Sequence, residues 1–457
     1  MFYDIIYSVI KMNSREIALK ILLEYEKSDA YSNILLNSEL NKFDVSDIEK
    51  SLITKLVYGV ITYKRTLDYI ISKLSKVKLK KISAPIINIL RLGIYQIYYL
   101  DKIPDSASVN ESVKLAKKYG HQASANFVNA LLRNVSRKSK DEFFENIENI
   151  VDKLSIIYSY PNWIVDLYIK QYGVERTEDI LKANEAELID CIRVNALKSS
   201  RDELFDKLKA DGFEVQLGRT SDIIYTKDIK RLLMSDYFKQ GLFTVQDEAP
   251  CLVGHIIKPL PNEKILDICA APGGKTTHLA QLSGDKADIT AFELHEHRCK
   301  LIEDLCKRLN IESIKVEQRD ATVFDEKLIG KFDKIVADVP CSGIGVIRRK
   351  PDIKWNTKEE DIEELTEIQY KILLNASKYL KKGGVLIYST CTNNKRENED
   401  IVERFLSENK EFKIDTIDNI HEEFVKDVFN MGMLELLPDK NGCDGFFICK
   451  MTKSTKK

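Results

Sequence analysis

Of 457 residues only 10 are proline, 19 glycine and 2 tryptophan. So little proline and glycine, without a period, argues against collagen-like or low-complexity architecture. Net charge is also missing: 70 Lys+Arg stand against 71 Asp+Glu, a formal charge of −1. That excludes a uniformly basic nucleic-acid binder, though charge can still segregate into local basic faces. There is no long hydrophobic run. Met1 to Ile10 (MFYDIIYSVI) is apolar but contains Asp4 and is far too short to span a bilayer. It also lacks a basic n-region and a small-residue cleavage site, so neither anchor nor signal peptide is expected. Met12 opens a clean helical pattern, which makes it an alternative initiator. The nine cysteines are odd in number and contain no C-x-x-C pair, which argues against a disulfide scaffold or zinc ribbon. A reducing, cytoplasmic compartment follows.

What is present is length for about three domains and 44% hydrophobic residues to build their cores. Residues 13–138 read as helix after helix, with Ile17, Ile21, Leu22 and Tyr25 forming one apolar stripe. Ser46-Asp47-Ile48-Glu49 has the capping-box form ahead of Leu52, Leu56 and Val57. A further apolar segment runs from Ile86 to Tyr98, and two more helices are expected around 109–118 and 123–135. Lys55, Lys64, Arg65, Lys73, Lys76, Lys78, Lys80, Lys81 and Arg91 face only Asp68 across residues 51–100. This segment reads equally as a surface tracking a phosphate backbone and as a solvated helix face. Residues 139–250 combine an acidic, partly helical connection with a small α+β module, in which 191–195 and 213–216 suggest strands. Residues 251–453 change to strand–loop–helix repeats, the signature of a mostly parallel, doubly wound α/β sheet.

In such sheets ligands bind beyond the carboxyl ends of the strands. The first strand, Lys264–Ile268, runs into Ala271-Pro272-Gly273-Gly274-Lys275. Glycines there admit a ligand close to the backbone, and the following helix offers unpaired N–H groups. The spacing is neither Walker A nor G-x-G-x-x-G. The next strands end at Glu293, Asp320 and Asp338. Three carboxylates at successive strand ends fit an adenosine-type ligand without a pyrophosphate. Two cysteines share this edge: Cys341 follows Asp338-Val339-Pro340, and Cys391 follows Ser389-Thr390. A thiolate becomes a strong nucleophile when nearby positive charge lowers its pKa; Lys275, Arg348, Arg349 and Lys395 are the candidate charges.

These residues resemble a known family. Asp267-Ile268-Cys269-Ala270-Ala271-Pro272-Gly273-Gly274-Lys275-Thr276, with the Pro340-Cys341 and Thr390-Cys391 pairs, looks like the RNA cytosine-C5 methyltransferases of the NOL1/NOP2/Sun family. The run Gly345–Trp355 and Asp444-Gly445-Phe446-Phe447 add to the match. The helical region resembles a NusB-type RNA-binding domain, notably at Leu90-Arg91-Leu92-Gly93 and Ala125–Arg133. Together they cover nearly the whole chain. The resemblance implies an all-α NusB-like domain, a small α+β module and a Rossmann-like class I methyltransferase domain. It implies S-adenosylmethionine as cofactor and 16S rRNA as partner, modified at C5 of one cytosine of the position 967 type before full subunit assembly. The cofactor residues it carries over are Cys269, Ala270, Ala271, Pro272, Gly273, Gly274, Lys275, Glu293, Asp320 and Asp338. Cys391 matches the nucleophile that adds to cytosine C6, and Cys341 the second cysteine that assists release. Asp338 would bond the cytosine N3/N4 edge, and Lys275 would supply positive charge. The chain departs from the family in having Glu293 where Asp is common and Val339 where Ala is common.

Weaker signals read structurally. His295, His297 and Cys299 are expected on a solvated helix face, so no metal is expected. Tyr95, Tyr98 and Tyr99 are expected in the helical core. Trp163 is ambiguous, and Trp355 is placed with the basic Arg348–Lys354 loop near the RNA. A monomer without membrane contact is expected. The alternative reading is a non-catalytic RNA-binding or assembly factor, which would need neither cysteine. A DNA cytosine methyltransferase would lack the Thr-Cys cysteine, and an amino-methyltransferase would carry Asp/Asn-Pro-Pro-aromatic in place of Asp338–Cys341.

Overall fold

A computed structural model describes residues 13–27, 32–186, 189–418 and 420–455. The Met1–Ile10 segment and the Met12 start lie outside the described residues. The chain divides into two compact units, one running to Glu178 and including Lys350–Asn356, the other holding the remainder.

Among the described residues the first unit contains helices and no strand. Ser14–Tyr25, Ser32–Leu40, Asp47–Thr62, Lys64–Leu74, Ala84–Tyr99, Asp105–Tyr119 and Gln122–Val135 enclose one apolar core around Ile53, Leu56, Leu90 and Val128. The capping box at Ser46 forms as the sequence reads, with Glu49 reaching back to the Ser46 N–H at 2.9 Å. The helix Lys64–Leu74 escapes a periodicity reading because Tyr63 alone separates it from its predecessor. Arg91 turns inward: its guanidinium is buried and bonded by Asp68 at 2.7 Å and Glu26 at 2.6 Å. Tyr95 and Tyr99 stack with Tyr63 in the same interior, as expected of core aromatics. Lys55, Lys73, Lys76, Lys78, Lys80 and Lys81 remain exposed.

The second unit holds two sheets. The smaller runs in the order β2 (Val215–Leu217), β3 (Ile223–Thr226), β1 (Asp190–Val194), β4 (Phe243–Val245), all antiparallel, covered by the helix Arg201–Ala210. The larger contains β5 (Lys264–Asp267), β6 (Asp288–Glu293), β7 (Ile314–Gln318), β8 (Phe332–Asp338), β9 (Leu380–Thr390), β10 (Phe412–Ile414), β11 (Val428–Phe429), β12 (Met433–Leu436) and β13 (Phe446–Lys453). Strands β5 to β9 are parallel, in spatial order β7-β6-β5-β8-β9, and the antiparallel strands β13, β12 and β11 extend the β9 edge. The sequence reading covers the parallel strands; the antiparallel extension is beyond it. Successive residues of β5 face opposite sides, Ile265 into one core and Leu266 into the other. The chain leaves β5 toward β6 and β7, then returns on the other side as β8 and β9. The carboxyl ends of β5 and β8 therefore border a topological switch point, where such sheets bind ligands.

Candidate active site

The loop after β5 places the glycine run at that switch point. Gly273 has φ +102°, a conformation open to glycine and strained for other residues. It leads into the helix Gly274–Leu282, whose second residue is Lys275. Asp267, at the end of β5, is fully buried; Thr276 donates to its Oδ2 at 2.7 Å, while its Oδ1 has no hydrogen-bond partner. Burial pushes the Asp267 carboxyl up to about 6. Glu293 is buried at the end of β6, accepting from the His295 N–H at 3.1 Å and Arg298 at 3.4 Å. Asp320 follows β7, exposed, with Oδ1 held by the Thr322 N–H and hydroxyl. Beside Asp320 lies a cavity of about 420 Å³ lined by Phe292, Asp320, Ala321, Phe324 and Tyr379, the last two rings stacked at 5.7 Å.

The two cysteines meet. In the parallel pairing of β8 and β9, Asp338 stands opposite Ser389. Cys341 lies three residues beyond the first and Cys391 two beyond the second, so both loops emerge side by side, and the sulfurs are 3.2 Å apart. Asp338 is shared between them: Ser389 donates to its Oδ1 at 2.9 Å and Lys275 to its Oδ2 at 2.6 Å. Burial opposes the Lys275 charge, but Asp338 outweighs it and holds the ammonium above its usual value. Cys391 and Lys275 also interact electrostatically, each favouring the other's charged form. Cys341 experiences the reverse. Its hydrogen bond to Cys391, its burial and the negative charges of Glu397 and Asp338 push its thiol well above the usual range. The two sulfurs therefore differ in their charged neighbours: Lys275 interacts with Cys391, while Glu397 and Asp338 act on Cys341.

One residue absent from the sequence reading organises both loops. Glu397, fully buried six positions after Cys391, accepts from the Ser342 N–H at 2.8 Å and hydroxyl at 2.6 Å, from Asn394 at 2.9 Å and from Gln369 at 3.0 Å. A buried carboxylate is tolerated when it is hydrogen-bonded this fully. Its sequence gives no signal, because Lys395, Arg396, Glu399 and Asp400 surround it with other charges. Gly345 and Gly445 also pass in close contact: the Gly345 N–H donates to the Cys391 carbonyl at 3.1 Å, the Gly445 N–H donates to the Gly345 carbonyl at 2.8 Å, and a Cβ on Gly345 would strike Gly445.

Several expected residues go elsewhere. Arg348 and Arg349 are engaged within the protein: both guanidiniums bond Asp444, at 2.6 and 2.5 Å, and Arg349 also bonds Asp247 at 2.8 Å. Lys354 is buried over the Tyr160 ring, 3.8 Å from its centroid, and Trp355 donates its indole N–H to the Ile61 carbonyl at 2.7 Å. The basic appearance of this run misleads because Arg348, Arg349 and Lys354 have internal partners, while Lys350 is exposed. Lys395 is exposed beside Asp400 at 4.0 Å, whereas Lys275 interacts with Cys391. His295 and His297 are exposed and stack on each other at 5.6 Å, while Cys299 is buried. Metal-type donors converge at a different place among the described residues, where buried His278 meets Asp222 at 2.6 Å near Cys251. No helix among the described residues is long and apolar enough to cross a membrane.

Comparison with known proteins bears on the same residues. The chain is 39% identical over 450 residues to the probable ribosomal RNA small subunit methyltransferase B of Bacillus subtilis, covering 97% of this chain and 99% of that one. The chain belongs to the RsmB/F family. The 16S rRNA methyltransferase RsmB/F model matches residues 254–452, the NusB family model residues 12–137, and the ferredoxin-like domain model of RsmF/B-like methyltransferases residues 160–225. The ribosomal RNA small subunit methyltransferase B of Shewanella oneidensis is 31% identical, covering 97% of this chain and all of that one. Among solved structures, PH0851 matches with TM-score 0.80 at 26% identity over 97% of this chain and 99% of that one. A methyltransferase homolog protein from Pyrococcus horikoshii matches with TM-score 0.58 at 27% identity, over 67% of this chain and 99% of that one. The RsmB/F assignment makes the chain a ribosomal RNA methyltransferase whose methyl donor is S-adenosylmethionine. It also accounts for a NusB-like helical domain joined to a ferredoxin-like module and a methyltransferase sheet.

Proposed function

We propose that this rRNA methyltransferase modifies C5 of a cytosine in 16S rRNA through a covalent bond between Cys391 and cytosine C6. The observation that carries the reading is the Cys341–Cys391 pair, 3.2 Å apart beside Lys275 and Asp338. Cytosine C5 is a poor nucleophile. Addition of a thiolate to C6 makes C5 enamine-like, so a positioned, activated sulfur is what the chemistry needs. Lys275 favours the Cys391 thiolate, which attacks. Cys341, kept protonated, stands one hydrogen bond from that sulfur and assists its departure once C5 has lost its proton. Asp338 accepts from the exocyclic N4 amine of the base, and from N3–H once N3 is protonated in the adduct, which it thereby stabilises.

The residues around the loop after β5 fit the methyl donor, which when bound supplies an electrophilic methyl group. Asp267 Oδ1 is a buried acceptor with no partner of its own, suited to an ammonium group. Residues Cys269 to Lys275 form the close-approach loop, Glu293 accepts from ribose hydroxyls, and Asp320 borders the cavity lined by Phe292 and Phe324, which takes the adenine. The exposed lysines of the helical unit serve the RNA backbone. We place the enzyme in the cytoplasm as a monomer that acts before full subunit assembly, with residues 13–138, 139–250 and 251–453 as its domains.

Bisulfite sequencing of 16S rRNA from a deletion strain beside its parent tests the substrate. Loss of one small-subunit 5-methylcytosine is expected. An unchanged 16S rRNA would refute the assignment, and loss of a tRNA mark instead would move the substrate.

A further inference from the structure

Two sulfurs 3.2 Å apart lie about an ångström beyond the roughly 2.05 Å of a disulfide bond. Both cysteines are half-buried, as is Cys269, whereas Cys191, Cys251, Cys299, Cys306, Cys443 and Cys449 are buried. The pair is also unequal in charge. Cys391 has the Lys275 ammonium in its field, and Cys341 faces Glu397 and Asp338. Two adjoining half-buried sulfurs, one of them interacting with a lysine ammonium, are the arrangement of a peroxide-sensitive cysteine with its resolving partner.

We propose that Cys391 and Cys341 form an oxidative modification site, which takes hydrogen peroxide and closes to a reversible disulfide. The Cys391 thiolate attacks one peroxide oxygen, and the O–O bond breaks. A sulfenic acid forms on Cys391, and the departing hydroxide takes a proton from solution to become water. The Cys341 sulfur then attacks the Cys391 sulfur. The S–S bond forms as the S–O bond breaks, and the leaving oxygen departs as a second water with the Cys341 proton. Two thiols are oxidised and one peroxide is reduced to two waters. The glycine loop and the Lys275–Asp338 pair take no part in the bond, so cofactor binding survives it. Loss of methylation on oxidation rests on the Cys391 assignment above; the bond itself does not.

The test treats the reduced full-length protein with hydrogen peroxide, blocks remaining thiols by alkylation, digests without reductant and maps linked peptides by mass spectrometry. A Cys341–Cys391 link is expected, growing in step with lost methylation and removed by dithiothreitol with activity restored. S-adenosylmethionine binding by calorimetry stays unchanged. In Cys341→Ser the link cannot form, and dimedone captures a sulfenic acid on Cys391. Two free, alkylatable thiols after peroxide, or Cys391 carried straight to its sulfinic acid in the unsubstituted protein, would overturn the proposal. A reversible link that leaves methylation untouched would keep the modification site and refute the nucleophile assignment instead.

Discussion

Glu397 accepts hydrogen bonds from both the backbone N–H and the hydroxyl of Ser342, at 2.8 and 2.6 Å. Ser342 follows Cys341, and Glu397 closes the turn after Cys391, so this one carboxylate fastens the two cysteine loops together. Removing it strands several buried donors, each costing about 1–3 kcal/mol. Glu397→Ala is expected to lose at least ~2 kcal/mol in denaturant unfolding. Glu397→Gln keeps the volume but turns an acceptor into a donor. It should lower kcat by about 10- to 100-fold through misplaced sulfurs, with S-adenosylmethionine affinity unchanged by calorimetry. Equal losses in both measurements would show a general structural role.

Lys275 supplies the positive charge felt by Cys391. In Lys275→Met the Cys391 thiolate becomes less favoured, so its pKa rises. The acid limb of the methylation pH profile, and of iodoacetamide alkylation at Cys391, is expected to move to higher pH. An unmoved limb would mean that another group activates the sulfur.

His278 gives the fold a pH dependence. Its burial, with Arg193 adding like charge, pushes the imidazole down from 6.5 to about 4. The unfolded chain then takes up a proton on this residue between those values while the native state does not. Stability from this group is present above pH 6.5 and lost as pH falls toward 4, by at most about 3 kcal/mol. Unfolding midpoints measured across that range should fall less steeply in His278→Gln than in the unsubstituted protein.

Basic residues divide into two kinds. Lys76, Lys78, Lys80 and Lys81 are exposed, and changing all four to Ala should weaken RNA binding. It should also flatten the dependence of log K on log salt by about 0.7 for each lost single-strand phosphate contact. Arg349 is paired with Asp444 and Asp247. Arg349→Ala should instead destabilise the protein, by about 3–5 kcal/mol for a broken buried pair, and leave the salt slope alone. A flattened slope in Arg349→Ala would return that residue to the RNA surface.

The sequence shows much of this site because its parts are local. The glycine loop, the carboxylates at strand ends and the cysteines each follow a strand whose apolar run is visible. Parallel pairing then brings Asp338 opposite Ser389, and the sulfurs follow. What escapes is set by distant partners. Glu397 reads as one more charge until Ser342, Gln369 and Asn394 close around it. Arg348, Arg349 and Lys354 read as a basic loop until Asp444, Asp247 and the Tyr160 ring absorb them. The strand β13 pairs antiparallel with β9, and nothing in its own residues announces which edge it joins.

The roles of the two sulfurs are tested most directly by incubating Cys391→Ser and Cys341→Ser with 16S rRNA and S-adenosylmethionine and running each on a denaturing gel. Cys341→Ser is expected to accumulate a heat-stable protein–RNA band, because the adduct forms but is not released. Cys391→Ser is expected to bind S-adenosylmethionine, form no band and methylate nothing. A band from Cys391→Ser with none from Cys341→Ser would reverse the two roles, and continued turnover by Cys391→Ser would contradict the covalent mechanism.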